Sequence, residues 1–315
     1  MDGSMMTNGI NINLDVKIDS KDIKEGFLAL LNKLCSGVSS VTRWLIDLWQ
    51  RSPKRIAVDE YISDIENNTE LDAASKAVLM YNAGRDIKRM ANVMSICNKA
   101  SEKLLDLTNI DKVSKDWVDA FVGYAENISS EELQEIWSVI LSRECNEPGS
   151  IPRALLSTLY MMEKQEAEDF QNLMRFCVRI RESVHPIIAH NRIDDYYNEY
   201  GLGSKAINRL ETLGLINYDR NEMQGAGIMV ASGEVIEYFD NAIRMDEIIE
   251  FDDADSNGEI CISCGSVELS YIGEALRCIV VSDKVDGFLE DIVIPHIQNP
   301  VQHLIDITLE ALGKK

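Results

Sequence analysis

Residues 129–180 read SSEELQEIWSVILSRECNEPGSIPRALLSTLYMMEKQEAEDFQNLMRFCVRI, and the rest of the chain is organised around this stretch. Ser129 and Glu132 have the spacing of a capping box, with Glu131 and Glu132 at the positive end of the helix dipole. Leu133, Ile136, Trp137, Ile140 and Leu141 follow at the intervals of one helix face. Pro148-Gly149 ends that helix, and Ser150 with Pro152 opens a second, lined by Leu155, Leu159 and Met162. A third starts near Lys164 and turns Ala167, Phe170, Leu173, Cys177 and Ile180 inward. The short connections predict antiparallel neighbours, with Leu133, Trp137, Leu141 and Phe170 in the core.

Charge narrows the function. The chain has 315 residues and a formal charge of −22, with 45% hydrophobic and 27% charged residues. That is an ordinary globular composition with enough apolar material for two or three domains. An acidic field of this size repels phosphate backbones and anionic membranes. No secretory leader and no apolar run of spanning length is present, so a cytoplasmic protein is expected, peripheral to a membrane in the second reading. Seven dispersed cysteines read as reduced, mostly buried thiols.

Toward the N-terminus, Ile10 to Ile18 alternate as in a short strand. Phe27, Leu31, Leu34, Val38, Val41, Leu45 and Leu48 then form a heptad-like seam, widened by Trp44 and Trp49. Packing on the protein's own core or on a second copy is the first reading. Membrane contact through residues 27–49, with Arg51, Lys54 and Arg55 beside them, is the second. Thr69 and Asp72 suggest another capping box. Leu71, Ala74, Ala77, Val78 and Tyr81 form the apolar face of the helix that follows, continued by Ile87, Met90, Met94 and Cys97, with a kink expected at Gly84. A helix from Lys112 to Tyr124 buries Trp117 and Phe121. Up to Ile188 the chain reads as nearly all helix.

The C-terminal third changes character. Residues 196–218 give helix, glycine turn, helix, strand, and residues 259–281 give one or two strands and a helix. That order is winged-helix-like. The expectation is therefore a mainly α protein, a multi-helix bundle with a C-terminal winged-helix-like α+β module. Its parts are an amphipathic arm (1–55), a helical bundle (56–195) and an acidic module (196–315).

The run from Leu133 to Phe170 resembles a bacterial family known only as domain of unknown function 2806. The resemblance rests on Leu133, Gln134, Trp137, Ile140, Leu141, Glu144, Pro148, Gly149, Ser150, Leu155, Ala167 and Phe170. The Trp-containing helix is more weakly similar to abortive-infection alpha proteins. The resemblance implies a bacterial or phage-encoded cytoplasmic protein in phage defence, and supplies no activity to carry over residue by residue.

Each candidate site has a simpler reading. Lys205 and Arg209 lie on the would-be recognition helix, but from residue 231 onward 18 Asp/Glu face 5 Lys/Arg, a poor setting for a phosphate clamp. Nucleic-acid binding is the weaker alternative. Asp253, Asp255 and Asn257 with Gly258 copy the start of a calcium loop, yet its twelfth position is Cys264. An acidic turn at Asn257-Gly258 competes with it. Cys261 and Cys264 have no second pair or histidine cluster beside them. No nucleophile elbow, Walker loop or zinc-binding histidine frame occurs. The expectation is a non-enzymatic, cofactor-free protein that binds another protein or itself.

Overall fold

The computed structural model describes residues 29–30, 33–34, 56–105, 107–188, 195–219 and 226–298. The chain divides into two compact units, Met1–Ser157 and Thr158–Lys315.

The first unit is helical. Helix α1 spans Ile56–Asn67, α2 Ala73–Ser101, α3 Lys115–Ala125 and α4 Glu131–Asn146; α5, Arg153–Met161, contains the division. Asp72, not Thr69, caps α2, its carboxylate accepting from the Ser75 N–H, and the helix runs on through Gly84. Its buried face, Ala83, Ile87, Met90, Met94 and Cys97, lies against α4. Trp117 stacks on Phe121 with centroids 5.1 Å apart, and Phe121 meets Trp137 at 5.4 Å. Trp137 and Leu141 are fully buried, as the spacing predicts.

Two local readings of α4 are corrected. Its cap is Ser130, one residue later than expected. Leu133 is 45% exposed, and its neighbour Gln134 takes the inward position instead. The Gln134 amide donates to the Ile128 carbonyl (2.9 Å) and accepts from the Ser95 hydroxyl (2.7 Å). Asn92 donates to the Glu126 carbonyl (2.9 Å). A satisfied polar network can hold a core position that hydrophobicity would assign to leucine.

The second unit overturns the mainly α expectation. Helix α6, Lys164–Met174, stops short of the predicted Ile180, and β1, Cys177–Ile180, follows. Then come β2 Ser183–Pro186, α7 Asp195–Glu199, α8 Ser204–Thr212, β3 Ile216–Tyr218, β4 Ala226–Ala231, β5 Val235–Tyr238, β6 Asn241–Arg244, β7 Glu259–Gly265, β8 Val267–Leu269 and α9 Tyr271–Arg277. A π-helical turn, Phe288–Val293, and α10, Ile294–Gln298, end the described chain. The described strands form three antiparallel sheets, ordered β2-β1-β5-β6, β3-β8 and β4-β7, so the fold is mixed α+β. The helix, glycine turn, helix, strand order is present over 195–218, but β3 pairs with β8, some fifty residues on.

In the four-stranded sheet, Val178, Ile180, Ile236 and Tyr238 are buried on one face. Phe170 is likewise buried in this unit. Phe176 sits edge-on to Tyr196, Tyr197, Tyr200 and Phe288. The Tyr238 hydroxyl donates to the Arg175 carbonyl (2.9 Å) and accepts from the Val285 N–H (2.7 Å), so both its roles are satisfied in the interior. Among the described residues no helix is long and apolar enough to cross a membrane.

Helix α9 approaches β3 so closely that a Cβ on Gly273 would collide with the Leu215 carbonyl oxygen. Gly123, exposed in α3, has open space around it. The same substitution should thus have opposite signs. Gly273→Ala should lose about 2 kcal/mol or more through overpacking, whereas Gly123→Ala should gain about 0.5–1 kcal/mol from helix propensity. Urea unfolding of both variants checks this.

Candidate functional site

Successive α-helical residues are rotated by 100°, so positions five apart lie roughly opposite each other. Val78 and Ala83 in α2 have that spacing. Ala74, Ala77, Val78 and Tyr81 therefore project away from the core face formed by Ala83, Ile87, Met90 and Met94. All four are exposed, Val78 at 59% and Tyr81 at 61%. The two sequence patterns that read as one continuous face are two faces on opposite sides of the helix. The outward stripe continues into Arg85 and Lys88, both exposed. Within this acidic chain, α2 carries five cations (Lys76, Arg85, Lys88, Arg89, Lys99) and one carboxylate, Asp86. Arg89 pairs with Glu126 and Lys99 with Glu131 and Glu135.

In the second unit a groove of about 290 Å³ lies along the open face of the four-stranded sheet. Register builds it. Arg179 stands opposite Val184 on β2 and Glu237 on β5, so these three form a row across the sheet. Cys177 and Phe239 lie one pleat along, and Met174, Arg277 and Val280 complete the wall. Arg179 makes only a long ion pair with Glu237, at 4.0 Å. Arg277 pairs with Glu274 and reaches the Glu182 carbonyl at 3.4 Å. Burial pushes the Cys177 thiol well above its ordinary range, so it is protonated and inert at neutral pH.

Phe239 stands out at the groove rim. Its φ is +51°, in a two-residue hairpin turn where glycine or asparagine is the usual choice. That backbone state costs a bulky L-residue roughly 1–2 kcal/mol. Arg181, with φ +58°, shares the oddity at the β1–β2 turn, where Glu234 and Glu259 grip its guanidinium and compensate. Phe239 has an edge-on contact with Tyr238 (4.9 Å between centroids) and is 45% exposed.

Arg209 turns inward. Its Nε and Nη2 donate to the two oxygens of Asp169 at 2.6 and 3.0 Å, and Asp169 is fully buried. Gln165 adds a third bond to that carboxylate (3.2 Å). Lys205 alone of the two remains exposed on α8. In the calcium-like loop, Asp255 accepts from the Asn257 and Glu259 N–H groups at 2.8 and 3.0 Å, closing a turn at Gly258, where φ is +77°. Asp253 and Asn257 are exposed beside it. No group of three or more His, Cys, Asp or Glu that could hold a metal occurs among the described residues. Cys261 is exposed and Cys264 buried, on opposite faces of β7. Of the N-terminal seam, Leu34 is described and buried; Phe27, Leu31, Val38, Val41, Trp44, Leu45 and Leu48 lie outside the described residues, as do the strand at 10–18, the basic residues at 51–55 and the helix at 301–312.

Sequence reasoning missed the role of Glu144. It is buried, and its two oxygens accept from the Gly149 and Ile151 N–H groups at 2.8 and 2.9 Å, pinning the Pro148-Gly149 loop against α4. Trp117 completes the latch by donating to the Ile151 carbonyl (2.8 Å). Burial raises the Glu144 carboxyl above its ordinary 4.5, with the two backbone donors opposing the shift.

A model of the family described as "Protein of unknown function (DUF2806)" matches residues 82–286, more than half of the chain. No curated protein and no solved structure matches it.

Arg209→Ala strands the Asp169 carboxylate away from water and should cost about 3 kcal/mol. Asp169→Ala, which leaves the guanidinium free to reach solvent, should cost less, and exposed Lys205→Glu should stay within about 0.5 kcal/mol. Denaturant unfolding ranks the three. For Glu144 the folded-state pKa lies above the unfolded one, so the folded chain holds that proton more tightly. Its stabilising contribution is full below the ordinary 4.5 and is lost as pH rises through the raised value. Glu144→Gln removes this titration, so thermal melts from pH 4 to 7 should show a smaller fall in stability for the variant than for the wild type.

Proposed function

The chain belongs to the DUF2806 family, and from that footing we propose that it is a non-enzymatic interaction protein that pairs with a second copy of itself through the outward stripe of α2. One observation carries the reading: Ala74, Ala77, Val78 and Tyr81 repeat at helical spacing on the side of α2 facing away from its core. Contiguous exposed apolar side chains on a helix face favour a protein contact.

The stripe is complementary to itself. In an antiparallel pair centred near Ala77, the small Ala74 of one copy meets the large Tyr81 of the other. The exposed Glu70 at one end then meets the exposed Arg85 at the opposite end. Such a contact is isologous, each residue pair occurring twice about a two-fold axis.

Light scattering at high micromolar concentration should find a dimer. Val78→Glu with Tyr81→Glu should give a monomer with an unchanged circular dichroism spectrum, because both side chains are outside the core. Ala77→Cys should form a cross-linked dimer on mild oxidation. A wild-type monomer under these conditions, or a dimer indifferent to the double substitution, overturns the reading.

A further inference from the structure

We propose that the groove on the open face of the four-stranded sheet is a binding site for a carboxylate carried on a short apolar stem. This goes beyond self-association and concerns the other unit of the chain.

Three independent features point to that chemistry. The first is charge. The sequence has 53 acidic and 31 basic residues, yet the residues lining this groove include two guanidiniums, Arg179 and Arg277, and one carboxylate, Glu237. Arg179 is held only by a 4.0 Å ion pair, and Arg277 adds a long 3.4 Å bond to its pairing with Glu274. Each guanidinium has five donors, so both keep donors for an incoming anion. The second is the wall. Met174, Val184, Phe239 and Val280 supply an apolar surface beside those cations. About 290 Å³ is at the lower edge of the range for small-ligand sites, enough for one compact apolar group and its acid. The third is Phe239. A bulky residue with φ +51° in a two-residue turn is rare, and no carboxylate clamp offsets it as at Arg181. Strain of this kind concentrates where a side chain is needed in one place, and here it sets a half-exposed aromatic ring at the rim of the groove.

Carboxylate recognition suits the geometry better than a phosphate monoester, because Glu237 sits in the same row as Arg179 and would repel a second negative charge. The acid interacts with the guanidiniums, and the stem displaces water from Phe239, Val280 and Met174. Cys177, protonated by burial, is a neutral part of the floor and takes no part in chemistry.

Two sources carry the same chemistry, a free carboxylic acid and the C-terminal carboxylate of a peptide ending in an apolar residue. Titration calorimetry on the full-length protein separates them. Hexanoate is the first probe and hexanamide its uncharged counterpart. A pentapeptide ending in leucine, with the C-terminus free or amidated, is the second pair. The acid of at least one pair should bind, about tenfold more tightly than its amide, the worth of one charge-assisted hydrogen bond. Hexanoate alone binding assigns the site to free acids, and preference for the free-ended peptide assigns it to chain ends. Arg179→Gln and Arg277→Gln should each weaken binding about tenfold; the Arg179 side chain is 57% exposed and that of Arg277 22% exposed, so an unchanged circular dichroism spectrum is the control for the second. Phe239→Gly should weaken binding while leaving the melting temperature unchanged or higher, an outcome that a purely structural role for the ring would not produce. No binding by either acid, or binding unaffected by both arginine substitutions, overturns the proposal.

Discussion

The alternation of side chains along β1 and β5 is the constraint on which the C-terminal unit depends. Each strand must send every second residue to one face, and the pairing of Arg179 with Glu237 and Ile180 with Ile236 fixes which. Val178, Ile180, Ile236 and Tyr238 go inward, where Phe288 meets Tyr238 and lies edge-on to Phe176. The groove on the other face is a consequence of the same register. Slipping the pair by one residue would turn Arg179 and Glu237 into the interior and the isoleucines into water. Core and surface feature are thus two readings of one hydrogen-bond ladder.

The N-terminal unit depends on a comparable rule with a different period. In α2 the core stripe and the outward stripe differ by half a turn, and the change happens within five residues, between Val78 and Ala83. A helix that buried both stripes in its own unit would have to be enclosed on two sides. Here the polar network of Asn92, Ser95 and Gln134 anchors one side to α4, and the other stays accessible.

What the sequence disclosed follows from how local each feature is. Helices α3, α4 and α8 were legible because their period lies within one window, although the cap of α4 falls one residue later than its spacing suggests. The strand β1 was not. Phe170, Leu173, Cys177 and Ile180 keep a perfect helical spacing, and pairing makes the last two strand residues: Cys177 opposite Pro186 of β2, and Ile180 between Ser183 of β2 and Ile236 of β5. Leu133 was assigned inward on hydrophobicity, but the bonds that draw Gln134 inward come from Ile128 and Ser95, the latter on another helix. For the sites the lesson is similar. Arg209 read as a candidate on a recognition helix because its partner, Asp169, is forty residues away. Glu144 was one carboxylate among 53 acidic residues until its bonds to Gly149 and Ile151 set it apart. The groove draws on β1, β2, β5 and α9, so no single window contains it.

The Asp169–Arg209 fork also constrains how this fold can drift. Loss of the arginine alone leaves a desolvated anion, and loss of the aspartate alone leaves a cation whose fork has no counterpart. An apolar pair of matching volume could replace them, but only by passing through one of those unfavourable intermediates. The two positions are therefore expected to be inherited as a unit. Such a linkage would tie α8 to α6 more firmly than the strength of the contact alone suggests.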